Sequence, residues 1–359
     1  MNVTTLPLAL APSRTAPPPG PHTAFLQVPY YPQGCRKVSP ELLTVEDSVW
    51  INPELANPSC ATPAKGWYEL IRDECIEVHG PANSASAAWQ AYGTSRRVNE
   101  TFKRYWEGEA LYRRPGQETL TINIAHPAAQ EHGPFYKSSP HPAIYTNSAN
   151  TADDPDIIAH EQGHAILDSY WHYNTYNSFT ASAHEAFADC TALITALQSP
   201  QVRSNLSEAL EYGTHSTLLS VIGEGSKELV GTNRPMTGLR DLADAEEPGP
   251  ETASEEAHCA SRRFSHGLYC ALVELSKMLQ SSLRLGPREA LDCATQRVSS
   301  DFVNSLHFLP RQPIISQRDL ALAVLAANRT YGQGLGQEIY RDCWKATLAT
   351  DGPKHLIPL

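Results

Sequence analysis

The sequence has no apolar run approaching the roughly 18 to 20 residues that span a bilayer, which excludes insertion by a membrane-spanning helix. It is short of cations, with 28 Lys and Arg against 39 Asp and Glu and a formal net charge of −11. A nucleic-acid backbone is held by clustered basic side chains, so nucleic acid is not expected as a partner. Eight cysteines are dispersed without a C-x-x-C pair, which removes the ribbon and finger types of structural zinc site. Their even number leaves pairing open, for instance within Cys35, Cys60 and Cys75, whereas Cys190 lies in an apolar helical stretch and is expected as a buried thiol. The first twenty residues lack a basic n-region and carry a proline inside their short apolar run, so they do not read as a secretory signal. The compartment is left open.

What is present is an ordinary globular composition, 41% hydrophobic and 19% charged over 359 residues. That length exceeds what one compact core usually holds, so two lobes are expected. Residues 1–30 are rich in Pro, Thr and Ala and read as an extended or disordered lead-in. Residues 31–172 form the first lobe and 173–359 the second. The stretch 30–80 reads as short strands and turns, 84–106 as a helix interrupted near Gly93, and 120–125 as a period-2 strand. Residues 133–136 and 143–146 flank a Pro- and Ser-rich turn and read as a hairpin or edge-strand pair. Such an edge binds an extended peptide by strand addition, or serves as a structural hairpin only. Residues 223–250 read as a long surface connection, and from about 260 helical texture dominates in 264–282, 287–306, 316–330 and 333–348.

Between the strands and the helices lies the one stretch dense in chemistry. Asp154 is a good N-cap, Pro155 suits the first helical position, and Asp156 places negative charge near the positive end of the helix dipole. His160, Glu161 and His164 follow in the spacing H-E-x-x-H. At about 100° per residue, the two histidines stack on one helix face with Glu161 beside them. Residues 182–197 then form a second helix. Ser182 with Glu185 has the spacing of a capping box, while Glu185 and Asp189, four apart, share a face. One reading makes Glu185 a cap; the other makes it a metal ligand.

Zinc in a hydrolytic site takes three protein ligands and keeps a fourth position for water. His160, His164 and Glu185 supply that set. Two neutral imidazoles and one carboxylate leave the ion net positive, so bound water is acidified and a carbonyl polarised. Glu161, beside the ligand face, is placed to take the water's proton and pass it on. Asp189 is placed to accept the hydrogen bond from the far nitrogen of a ligand histidine.

These residues resemble a family. H-E-x-x-H followed by E-x-x-x-D on the next helix is similar to the gluzincin metallopeptidases, and within them to the thermolysin-like neutral proteases. The likeness covers roughly residues 85 to 350. It implies an α+β fold, with a strand-rich N-terminal lobe, a mainly helical C-terminal lobe and the zinc in the cleft between them. Tyr176, nine residues before Glu185, matches the tyrosine that hydrogen-bonds the tetrahedral intermediate. The segment Leu239 to Asp244 resembles L-R-S-M-S-D, which makes Arg240 the arginine on the substrate carbonyl. His258, with Ser261 and Tyr269 behind it, resembles H-x-N-S-G and its oxyanion histidine, with His266 as the reserve. Phe135 and Tyr136 fall on the family's substrate-binding edge strand.

The chain departs from the pattern at Gly133, where the family has asparagine, and at Ala260 and Arg262, where it has Asn and Gly. Ala253 stands where an aspartate would orient the histidine, leaving Glu255 or Glu256 for that part. Dense acidic loops are absent, so nothing in the residues supports calcium, which the family resemblance leaves possible. The expectation is a zinc metalloendopeptidase acting on peptide or protein substrates, a monomer. The alternatives are a zinc hydrolase dedicated to one partner, favoured by the altered edge strand, and a silent binding module on the same fold.

Overall fold

The computed structural model describes residues 26–30, 41–45, 50–51, 68–72, 75–106, 119–130, 133–138, 141–171, 173, 175, 177–213, 221–222, 240–243 and 256–349. The first part of the chain is strand-rich. A hairpin of β1 (Leu26–Tyr30) and β2 (Glu41–Val45) stands apart from a six-stranded mixed sheet. The sheet contains β3 (Trp50–Ile51), β4 (Tyr68–Arg72), β5 (Ile76–Gly80), β6 (Leu120–Asn123), β7 (Phe135–Lys137) and β8 (Ala143–Tyr145). Their spatial order is β3-β4-β5-β6-β8-β7. Strands β5, β6 and β8 run parallel, and β7 returns antiparallel to β8, which makes it the sheet's last strand.

The β5-to-β6 connection carries α1 (Ala85–Tyr105), which buries Ala87, Ala88, Ala91, Val98 and Phe102, the last against Phe187 at a ring separation of 6.3 Å. The expected interruption near Gly93 does not occur, and the helix is continuous. A mid-helix glycine costs about 1 kcal/mol against alanine. Burial of the apolar side, at about 1.5–3 kcal/mol for a large side chain such as Phe102, offsets it. Strand β6 stops at Asn123, two residues short of the expected end, because Ala125 turns the chain with φ 53°. The expected hairpin of 133–136 with 143–146 is present as β7 and β8.

Helices follow: α2 (Ala149–Ala152), α3 (Pro155–Tyr170), α4 (Ser178–Ala196) and α5 (Pro200–Glu211). After a short pair of β9 (Val221–Ile222) and β10 (Arg240–Asp241) come α6 (Glu256–Leu283), α7 (Pro287–Asn304), α8 (Gln317–Tyr331), α9 (Gln337–Cys343) and α10 (Lys345–Ala349). The result is an α+β fold with strands early and helices late. Helix α5 went unread in the sequence, although Ser199 before Pro200 is a capping signal and its hydroxyl accepts from Val202 N. Most of 223–250 lies outside the described residues.

Helix α4 corrects one expectation. It begins four residues earlier than Ser182, with Asn177 as N-cap; the Asn177 side chain accepts from the backbone N–H groups of Phe179 (3.0 Å) and Thr180 (3.4 Å). Ser182 lies one turn inside, its hydroxyl donating to Phe179 O at 2.9 Å. Glu185 is therefore released from any capping part. Cys190 is buried, as expected; Cys35 and Cys60 lie outside the described residues. No helix among the described residues is long and apolar enough to cross a membrane.

Candidate metal centre

Helix α3 is buried nearly all round, Ile157, Ile158, Ala165, Ile166 and Leu167 included. Asp154 caps it, accepting from Asp156 N at 3.0 Å. His160 and His164 project from one face with ring centroids 4.8 Å apart and ring planes at 88°. Between them in sequence sits Gly163. A Cβ there would stand 2.7 Å from Ala188 Cα and 2.9 Å from Thr191 Oγ1, so only glycine lets α4 come this close.

That approach delivers Glu185. Its Oε2 lies 3.2 Å from His160 Nε2 and its Oε1 lies 3.4 Å from His164 Nε2. The ligand atoms of the three residues all fall within 4.8 Å of one another, so the triad is able to hold one metal ion. The donor set fits zinc: four-coordinate zinc with bonds of about 2.0–2.1 Å has neighbouring ligand atoms roughly 3.4 Å apart. Burial alone would raise the Glu185 carboxyl, but the charge of His164 and the hydrogen bonds of His160 and His164 outweigh it and hold it well below the usual carboxylate range.

A second layer sits behind the triad. Asp189, fully buried, places Oδ1 3.0 Å from His160 Nδ1. Its Oδ2 accepts from Ser261 Oγ at 3.3 Å and Ser265 Oγ at 3.2 Å, both on α6. The carboxylate faces Nδ1 of His160, so it is placed to orient the ring with Nε2 toward the triad. Sequence reasoning missed both serines as supports. Their spacing, four apart on a helix that also bears His258, was the available signal. It missed His184 too, a buried ring 5.7 Å from that of His164 and 5.9 Å from that of Tyr173. Burial first, and His164 second, push the His184 imidazole down to about 3, so it stays neutral.

The other expected site residues separate into those brought to the triad and those not. Glu161 is buried on α3, about 100° round from His160. His258 reaches the triad from the first turn of α6, with Nε2 3.1 Å from Glu185 Oε2 and its side chain 57% exposed. His266 does not. It lies two turns further along α6, with Nδ1 2.7 Å from Leu242 O. Of Arg240 the backbone is described, paired with Ile222 in β10; its side chain and the whole of Tyr176 lie outside the described residues. Phe135 stacks on Tyr145 at 4.9 Å, and Tyr136 Oη donates to Asp168 Oδ2 at 3.0 Å, which ties the last sheet strand to the final turns of α3.

No family model matches the sequence, and no curated protein matches it. Among solved structures the fold is similar to one described as the precursor of protealysin, a metalloproteinase from Serratia proteamaculans. The TM-score is 0.45 and the identity 14%, over 72% of this chain and 77% of that one. The functional reading therefore rests on the site itself.

Proposed function

We propose that the protein is a zinc-dependent metalloendopeptidase of the thermolysin-like, gluzincin type. The observation that carries the proposal is the convergence of His160, His164 and Glu185, with Asp189 behind His160. Bound there, zinc supplies Lewis acidity and a water of lowered pKa. The remaining work falls to the chain's own residues. Glu161 takes the proton of the attacking water and delivers it to the leaving amine. His258, exposed at the triad's edge, donates to the oxygen on which negative charge develops, with Tyr176 as its partner in that task. Arg240 holds a substrate carbonyl, and the strand bearing Phe135 and Tyr136 aligns the peptide by strand addition. In this reading the lobes divide near residue 172, and α3 and α4 form the floor of the cleft between them.

Replacing the base tests the proposal. Glu161→Gln keeps zinc bound while peptide hydrolysis falls by about 10²- to 10⁴-fold. Full activity in that variant, with hydrolysis still sensitive to a zinc chelator, removes Glu161 from the chemistry.

A second reading narrows the substrate. Gly133, at φ 79°, stands beside the edge strand with no side-chain amide to offer a peptide. A peptidase dedicated to one partner tolerates that loss, because contacts elsewhere supply affinity. A peptide-library digest read by mass spectrometry distinguishes the two, since broad cleavage before bulky apolar residues favours the general peptidase.

A further inference from the structure

Helix α6 carries a cation that the site above does not use. Arg262 stands where the family resembled in sequence has glycine. It is partly buried, its Nε is enclosed without a hydrogen-bond partner, and among the described residues it forms no ion pair. Buried polar groups are ordinarily hydrogen-bonded, and half-burying a guanidinium with no partner costs free energy that some other contact has to offset.

The helix sets that cation beside the triad. At about 100° and 1.5 Å per residue, Arg262 lies about 40° round α6 from His258 and about 6 Å along its axis. His258 itself touches the triad, with Nε2 3.1 Å from Glu185 Oε2. On one flank of Arg262, Ser261 and Ser265 meet Asp189 of α4 at 3.3 and 3.2 Å. On the other flank, His266 Nδ1 meets the carbonyl oxygen of Leu242, next after β10, at 2.7 Å. Arg262 therefore occupies the strip of α6 between its contact with α4 and its contact with the β10 segment. Long side chains on a helix lean toward its N-terminus, which for Arg262 is toward His258. Arg263 also has an unpartnered Nε, but it stands about 140° round from His258, on the side of α6 turned from the triad.

We propose that Arg262 is a specificity-determining residue, which binds a carboxylate of the peptide lying across the triad and gives the protein a preference for acidic peptides. The proposal rests on the peptidase reading for what occupies the cleft. A guanidinium presents paired N–H donors at the spacing of carboxylate oxygens, so the contact is bidentate and charge-assisted. The formal net charge of −11 opposes an acidic peptide at long range, so the preference is carried by contact at Arg262 and not by the overall field. An Asp or Glu side chain and a free peptide C-terminus offer the same group.

The test uses full-length, zinc-loaded protein and a pool of random octapeptides in two forms, free acid and C-terminally amidated. Cleavage by the wild-type protein and capture of intact peptides by immobilised Glu161→Gln protein are both read by mass spectrometry. Asp and Glu are expected to be favoured over Asn and Gln at one position by about 10- to 100-fold. A fixed cleavage distance from the C-terminus, seen in the free-acid pool alone, assigns the terminal carboxylate instead. Arg262→Gln abolishes the preference with zinc affinity unchanged, Arg262→Lys retains part of it, and Arg263→Gln leaves it intact. A preference that survives Arg262→Gln overturns the proposal, as does the lack of any carboxylate preference in both arms. Cleavage without such a preference sinks the proposal and leaves the peptidase reading standing; capture that depends on Arg262, with no cleavage by the wild-type protein, does the reverse.

Discussion

The triad and its rim are built differently. His160, His164 and Glu185 stand on two helices held in contact at Gly163, with Asp189 and two α6 serines buried behind them. His258 faces the same carboxylate from outside, more than half exposed, on a helix whose preceding segment includes Arg240. Ligands need fixed directions, and a buried, hydrogen-bonded scaffold provides them. A group that meets substrate has to be reachable by it. The contrast predicts that substitutions behind the triad change metal affinity, whereas substitutions on the rim change turnover.

The largest effect tests the rim. On the proposed reading of His258 as an oxyanion donor, His258→Gln lowers kcat by about 10²- to 10³-fold with zinc affinity unchanged. A parallel fall in zinc affinity, measured by chelator competition, would make His258 part of the scaffold and erase the distinction. Next comes the scaffold itself. Asp189→Asn weakens zinc binding by about 10- to 100-fold, because the carboxylate that orients His160 loses its charge. Isothermal titration of the metal-free protein measures this, and an unchanged affinity would remove Asp189 from the supporting layer. The smallest effect is on packing. Gly163→Ala forces α3 from α4 and destabilises the fold by about 1–3 kcal/mol in urea unfolding, with weaker zinc binding. An equally stable Gly163→Ala protein would show that the close approach is not what brings Glu185 to the histidines.

The same division explains what the sequence disclosed. His160, Glu161 and His164 were legible because their placement depends only on helical periodicity within five residues, and Glu185 with Asp189 likewise within one helix. Gly163 was not, because its importance comes from Ala188 and Thr191 on another element. Ser261 and Ser265 lie more than seventy residues beyond the carboxylate they support, and no local pattern encodes that pairing. The start of α4 was misplaced because Ser182 and Glu185 mimic a cap. Asn177 satisfies the first N–H groups earlier, and Ser182 bonds back into its own helix. Gly93 misled in the opposite direction, since burial of α1 outweighs its propensity. Which of His258 and His266 lies beside Glu185 was not legible, because the two share one helix and only its packing decides which of them meets α4.

The most direct test of the account is the zinc content of gently purified full-length protein, measured by mass spectrometry of the metal. The account predicts one zinc ion per chain, removed by a chelator together with peptide hydrolysis, and lost when Glu185→Ala is added. Zinc retained in full by the Glu185→Ala protein, or hydrolysis that proceeds undiminished in zinc-free protein, would contradict it.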